Sequence, residues 1–374
     1  MRVLVISHTY MTRIGREKWR SLQSEHGVDL RIIVPQVWKD YLFTLRYADQ
    51  PDNELDMRAL PVCFSGKEAA HTYRTLSFGM RSFQPDVLHV EEGTDALSYF
   101  QALRCKALFA PRAKTVFFTW MNFEKTLRFP FEYVERHNLR HSDAAICGNR
   151  DARDILRKKG FHNPIHVLPL LGIDPALFRP DPQPALRASL KLEGVVVGFI
   201  GRFVPEKGVL DLVEAASRLR VPYTMLLVGG GAQEEEIRSA AAAQGISDHL
   251  RFAGSVPHAD VPKYLNAMDV LVLPSYTVPH WKEQFGQVLV QAMCCEVPVL
   301  GSTHAEIPHV IGDAGMTFPE RDVEALAASL HTLVTSGELR AEYGAKGRRH
   351  VLANYTNSII AAKTFDIYHT LLEP

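Results

Sequence analysis

Neither sign of charge is in excess in this sequence: Lys and Arg number 42, Asp and Glu 42. Nothing in that balance draws the chain to a polyanion, so nucleic acid is not an expected partner. Long hydrophobic runs are missing as well, and none approaches the ~18–20 residues that a spanning helix needs. Cysteine is sparse: Cys63, Cys105, Cys147, Cys294 and Cys295 form no C-x-x-C pair. An odd, irregularly spaced set points to reduced thiols. The opening Met1-Arg2-Val3-Leu4-Val5-Ile6 reads at once as strand and leaves no room for a signal peptide. The expected setting is cytoplasmic, with peripheral contact on the inner face of a membrane as the alternative. A short internal repeat, a low-complexity segment and a D-x-D pair for a divalent cation are also absent. Asp151 and Asp154 are too far apart for such a pair and sit in a basic stretch, so no metal site is expected.

What is present is alternation. At 374 residues the chain exceeds the ~250–300 at which one core stops growing, so two domains are expected. Short apolar runs alternate with segments of helical periodicity throughout, the pattern of a doubly wound α/β sheet. The first half reads as strand 2–7, helix 16–26, strand 28–35, strand 86–90, strand 115–119, helix 131–140, strand 144–149 and a basic helix from Arg150 to Lys159. The second reads as strand 195–200, helix 208–218, strand 224–228, helix 232–244, strand 250–254, helix 259–267, strand 270–273 and strand 297–300, with a last helix over 358–372. Prolines 175, 180, 182 and 184 mark a linker between the halves. Residues 36–66 show no clear period. Their aromatics Trp38, Tyr41, Phe43 and Tyr47 suit core packing or stacking against a sugar face.

The most informative stretch runs from Pro274 to Ser302. A buried strand, Val270–Leu273, stops at Pro274, and a polar loop with His280, Trp281, Lys282 and Glu283 follows. Phe285-Gly286 then opens a helical segment. Loops leaving the carboxyl ends of parallel strands hold ligands, and the following helix offers free N–H groups to an anion. Glu283 and Gln291, eight apart, suit one residue on the loop and one on the helix facing a common ligand. A lone Glu before a helix can equally be a charge favoured by the dipole. On the first half, Glu91-Glu92-Gly93 follows one strand and Trp120-Met121-Asn122 another. Ligand contact and helix capping are both open for Glu92 and Asn122. Arg150, Arg153 and Arg157 share one helix face, which suits solvent or anionic lipid headgroups.

The stretch Glu283-Gln284-Phe285-Gly286 through Gln291 resembles the E-x-F-G-x(4)-E signature of the GT4 family of retaining glycosyltransferases, which have the two-domain GT-B architecture. Gly201-Arg202-Phe203-Val204-Pro205-Glu206-Lys207-Gly208 is similar to that family's G-R-x-x-x-x-K-G loop. Leu227–Gly231 and Phe252–Val256 fall between them in family order. The resemblance implies two Rossmann-like doubly wound domains facing a central cleft. It places an acceptor-side domain at 1–172, onto which a helix at 355–374 crosses back, and a donor domain at 173–354.

The same resemblance implies the roles. Arg202 and Lys207 would hold the donor diphosphate and Glu283 the sugar hydroxyls. Gly201, Val256, Phe285, Gly286 and Gln287 would line the donor, with Gln291 on the ribose where the family has Glu. Glu296 stands where the family has Gly. The family's glycine-rich loop after the first strand is here His8–Arg16, whose single glycine is Gly15. Arg13 and Arg16 are then either substitutes for its phosphate contacts or solvated surface residues. Asn122 stands near the family's sugar-binding histidine, and Glu92 and Trp120 fall on the acceptor side. The implied activity is a metal-independent hexosyl transfer with no cofactor. The donor would be a nucleotide sugar (UDP favoured, GDP the alternative) and the acceptor a glycan, a lipid-linked species or a small molecule. A nucleotide-sugar 2-epimerase and a non-catalytic binding protein are the alternatives.

Overall fold

The computed structural model describes residues 1–39 and 44–373; Tyr41 and Phe43 lie outside them. Two compact units divide the chain, one formed by residues 1–172 with the C-terminal helix and the other by residues 173–356.

The first unit is built on seven parallel strands: β1 (Arg2–Ser7), β2 (Asp29–Pro35), β3 (Asp56–Leu60), β4 (Val87–Glu91), β5 (Lys114–Thr119), β6 (Ala144–Cys147) and β7 (Ile165–Val167). Their order in the sheet is β7-β6-β5-β4-β1-β2-β3. Alternation along β1 feeds two cores, because successive side chains leave opposite faces. Val3 and Val5 join Trp19, Leu22, Ile360 and Tyr368 on one side. Leu4 and Ile6 join Leu76, Tyr99 and Phe117 on the other. Helix α1 (Glu17–His26) and the last helix, Asn357–Leu372, both belong to the first of these cores, and His26 stacks on Phe365 at 4.7 Å.

The second unit holds six parallel strands: β8 (Val195–Arg202), β9 (Tyr223–Gly230), β10 (Leu250–Gly254), β11 (Val270–Leu273), β12 (Val299–Ser302) and β13 (Met316–Phe318). Their order is β10-β9-β8-β11-β12-β13. β11 is buried along its whole length, as a central parallel strand is. Helix α2 (Gln287–Cys294) follows the Pro274–Gly286 loop, with Gly286 as its N-cap and no side chain capping it.

The structure fills two stretches that the sequence left unread and shortens one expected helix. The aperiodic 36–66 region contains β3, whose half-exposed edge position leaves no apolar run to read. The helix expected over 259–267 shrinks to Val261–Leu265 behind a tight turn at His258–Asp260, since Pro262 is tolerated only in a first turn. Helices Val323–Thr335 and Gly337–Asn354 have no counterpart in the sequence reading.

In each sheet the chain builds outward from one strand and then returns to that strand's other side. The switch lies between β1 and β4 in the first unit and between β8 and β11 in the second. Crevices at the carboxyl ends of such strand pairs are where open α/β sheets hold ligands.

Candidate active site

In the second unit, the loops after β8 and β11 meet at the switch point. Pro205–Lys207 form a single tight turn. Gly208 follows with φ +67°, where an added Cβ would lie 2.1 Å from the Pro274 carbonyl oxygen. Only glycine lets these two loops approach so closely. The Tyr276 N–H donates to the Glu206 carbonyl at 3.0 Å and fastens them again. Across this joint the Lys207 ammonium lies 2.5 Å from Glu283 Oε2, with side chains only 14% and 12% exposed. Ser275 Oγ donates to the same carboxylate oxygen at 3.3 Å, and Lys207 Nζ sits 4.7 Å above the Trp281 ring.

Glu283 is fixed from behind by His304. Its backbone N–H donates to His304 Nε2 at 2.8 Å, so that nitrogen carries the lone pair. Burial lowers the pKa of His304 and keeps the ring neutral, which leaves the proton on Nδ1. There it faces Thr277 Oγ1 at 3.0 Å and Glu320 Oε2 at 3.2 Å. The hydrogen bond on one ring nitrogen thus sets the tautomer of the other. Trp281 stacks on the same ring.

Arg202 differs in being 66% exposed, with Glu206 at 3.9 Å as its nearest carboxylate. Gly201 and Arg202 pair in register with Gly229 and Gly230 on β9. Phe285 is buried against Tyr355, and Gln287 begins α2. Gln291 is nearly buried, with its amide nitrogen 3.3 Å from His258 Nε2. Burial lowers the pKa of His258, and Phe178 packs edge-on against its ring. Val256, two residues before His258, is half-buried.

In the first unit, His8 and the Glu91-Glu92 pair occupy the carboxyl ends of β1 and β4, on either side of the switch point. Glu91 and Glu92 are engaged separately. Lys18 Nζ is 3.2 Å from Glu91 Oε1, and His89 Nε2 lies 3.5 Å from it. The Nδ1 of His89 meets the Tyr368 hydroxyl of the last helix. Glu92, 1% exposed, accepts from His8 Nδ1 at 2.6 Å and from the Tyr73 hydroxyl at 3.4 Å, with His71 Nε2 at 3.5 Å. Burial alone would raise the Glu92 carboxyl, but His8 and His71 outweigh it and hold the group at about 2. Burial likewise opposes the charge on His8, and Glu92 overcomes it and raises the imidazole pKa.

That pair makes a pH prediction. The depressed Glu92 contributes stability above its ordinary value of 4.5, lost as pH falls toward about 2. The raised His8 contributes below its ordinary value of 6.5, lost as pH rises through its folded value. The contribution is complete only between those two ordinary values. Glu92→Gln should therefore lower the melting temperature more at about pH 5.5 than at about pH 9. Equal shifts at both would mean the ion pair adds nothing.

The other expected residues are placed as follows. β4 and β5 are neighbours, so Glu92 and the buried Asn122 lie on adjacent strand ends. Trp120 fills the space beside Gly148, where an added Cβ would lie 2.1 Å from its ring. Gly15 has φ +87°, and an added Cβ would lie 2.4 Å from the Leu171 side chain, which accounts for a glycine there without a ligand. Arg16 is neither a solvated arginine nor a free one. It is fully buried, donating to the Tyr10 and Met11 carbonyls and to Asp52. On the helix Arg150–Lys158, Arg150, Arg157 and Lys158 are exposed; Arg157 donates to the Phe161 and Asn163 carbonyls and Lys158 to Glu124. His8, His71, His258 and His304 were missed. His8 directly follows a strand and His304 stands two residues after one, and the rule that singled out Glu92 would have found them.

Among the described residues, no three His, Cys, Asp or Glu side chains are grouped to hold a metal ion, and no helix is long and apolar enough to cross a membrane.

Two Rossmann-like parallel sheets, each gathering charged side chains at its switch point, are the fold of the GT-B glycosyltransferases. Residues 184–350, most of the second unit, match the family described as Glycosyl transferases group 1. The chain is similar to the phosphatidyl-myo-inositol mannosyltransferase of Mycolicibacterium smegmatis, 34% identical over 206 residues, covering 54% of this chain and 50% of that protein. It is also similar to a GDP-mannose-dependent alpha-(1-6)-phosphatidylinositol monomannoside mannosyltransferase of Mycobacterium tuberculosis, 30% identical over 207 residues, 52% of this chain and 53% of that one. The chain spans about half the length of the curated relatives it matches. Among solved structures, Anabaena HepE in complex with UDP matches with a TM-score of 0.78 at 16% identity, over 99% of this chain and 100% of that one.

Proposed function

We propose that the protein moves a hexosyl group from a nucleoside diphosphate sugar to a hydroxyl acceptor, with retention of configuration and without a metal ion. The observation that carries this reading is the joint at the second switch point. There Lys207 and Glu283 touch at 2.5 Å, beside an exposed Arg202 and an uncapped helix N-terminus. Cleaving a glycosyl phosphate puts negative charge on the departing diphosphate, and fixed donors aimed at it need no solvent reorganisation. Arg202 supplies a forked donor and Lys207 a point charge. The N–H groups around Phe285, Gly286 and Gln287 add the helix terminus. Glu283 receives the sugar hydroxyls, Gly201 and Val256 line the nucleotide, and Gln291 with His258 meets the ribose. In the first unit Asn122 serves the sugar, Glu92 and Trp120 the acceptor, and Gly15 the donor-side loop.

In the step itself the bond from the anomeric carbon to the phosphate oxygen breaks. The acceptor oxygen bonds the same carbon from the same face, and its proton passes to the departing phosphate oxygen. The setting is cytoplasmic. The donor nucleoside is uridine in the first reading. Guanosine is the second, favoured by the GDP-mannose named for the mycobacterial relative.

The test is release of UDP or GDP from a panel of nucleotide sugars, with and without sugar and polyol acceptors. Binding without turnover would overturn the reading in favour of a non-catalytic protein, and interconversion of donors in favour of an epimerase. Turnover is expected to persist in excess EDTA, because side chains and a helix terminus take the cation's place. Loss on chelation, restored by Mg²⁺ or Mn²⁺, would refute metal independence. Gln291→Glu should lower the KM for the donor by a factor of a few with kcat nearly unchanged, the signature of uniform binding. His258 would compete for the new carboxylate from 3.3 Å, so the gain should be larger in a His258→Ala background. A change in kcat alone would remove Gln291 from the ribose.

A further inference from the structure

The first switch point carries a side-chain arrangement that the donor chemistry leaves unused. His8 lies between two environments. Its Nδ1 is held by Glu92 at 2.6 Å, and the ring remains 26% exposed. One ring face stacks on Trp38 at 4.7 Å and 16°, and His71 stands edge-on to both rings. Trp38 is itself 5% exposed, so the stack fixes the imidazole plane rather than offering a second surface. With Nδ1–H committed to the carboxylate, Nε2 is the ring nitrogen left for a ligand. A carboxylate fixing one ring nitrogen so that the other faces a ligand is a recurrent way of aiming histidine. The arrangement sits in the crevice where a doubly wound sheet takes its ligand.

We propose that His8 Nε2 binds a hydroxyl of an uncharged sugar or polyol acceptor, with Glu92 and Trp38 as its positioning residues. The proposal rests on the transferase reading and adds the acceptor's class and its anchor. An uncharged ligand fits better than a phosphate because the charges around the ring are mostly negative. Glu92 is bonded to it, and Glu68 and Glu91 bear on it from farther away. Lys18 is already spent on Glu91, and His71 leans toward Glu92. A phosphate at Nε2 would meet one imidazolium already neutralised by its own carboxylate.

The test uses the full chain and two sets of acceptors with the accepted nucleotide sugar. One set is methyl α-mannoside, methyl α-glucoside and myo-inositol; the other is mannose 6-phosphate, glucose 6-phosphate and inositol 1-phosphate. Transfer to a member of the neutral set is expected. His8→Phe keeps the stack on Trp38 and removes both nitrogens. It should raise the KM of that acceptor about tenfold or more, the loss expected for a hydrogen bond to a charged group. The dissociation constant for UDP (or GDP) should stay unchanged. Glu92→Gln keeps an oxygen for Nδ1–H but removes the charge, and should raise the acceptor KM by less; it stands in if the Phe variant does not fold. No turnover of any donor would refute the transferase reading itself. Donor turnover with transfer only to phosphorylated acceptors, or to none, overturns the proposal. So does a His8 variant that weakens UDP (or GDP) binding and leaves the acceptor KM alone.

Discussion

Arg202→Ala is expected to cut turnover by roughly 10²–10³, the usual cost of removing one preorganised electrostatic donor. The structure makes the substitution a clean probe. The side chain is 66% exposed and reaches Glu206 only at 3.9 Å, so its loss breaks no close ion pair and opens no cavity. Far-ultraviolet circular dichroism and melting temperature should match the parent protein. Arg202→Lys keeps the charge but not the fork and should recover only part of the rate. Lys207→Ala is a poorer experiment, because it also leaves the Glu283 carboxylate, 12% exposed, without its ammonium. A defect there would mix lost charge stabilisation with a displaced sugar ligand. If the Arg202 variant kept more than half its activity with an unchanged fold, the diphosphate would have to be held elsewhere.

The central strands and their ends were legible because a parallel strand buried on both faces is an apolar run with a stop, as at Val270–Leu273 before Pro274. Loop residues at such stops could be named, and Glu283 and Lys207 were. Their contact could not, because it depends on Gly208 seating one loop against the Pro274 carbonyl, 66 residues further along the chain. β3 was illegible for the opposite reason: DMRAL is an edge strand, half-exposed throughout, with no periodic burial to read. Arg16 was misjudged because an arginine after a loop is ordinarily solvated. Here the chain turns its own carbonyls at Tyr10 and Met11 toward the guanidinium. The partners of the histidines carried no pattern in the sequence. His304 acts on Glu283 and His258 on Gln291 from other loops, and such partnerships follow from sheet order, not from spacing in the sequence.

Glu283→Gln should lower kcat by about an order of magnitude while affinity for the free nucleotide stays the same. The reasoning starts from what holds the residue. Its backbone N–H is tied to His304 Nε2, and its carboxylate lies against Lys207 and Ser275. A glutamine of the same shape stays in place, with one oxygen still able to accept. What changes is charge. A hydrogen bond to a charged group is worth ~1.5–3 kcal/mol and a neutral one ~0.5–1.5 kcal/mol, so the exchange removes about 1–1.5 kcal/mol. That loss falls on the transition state, because the sugar hydroxyls become better donors as the ring gains oxocarbenium character. A difference of about 1.4 kcal/mol in the barrier is tenfold in rate. Nucleotide binding should not suffer, since Lys207 is released from its 2.5 Å contact with the carboxylate and becomes freer to meet phosphate. Gln291→Glu, by contrast, should act on KM alone. Steady-state kinetics on both variants, with a titration of UDP or GDP, separates the two roles. If the two substitutions gave one kinetic signature, the sugar could not be assigned to position 283 and the ribose to position 291.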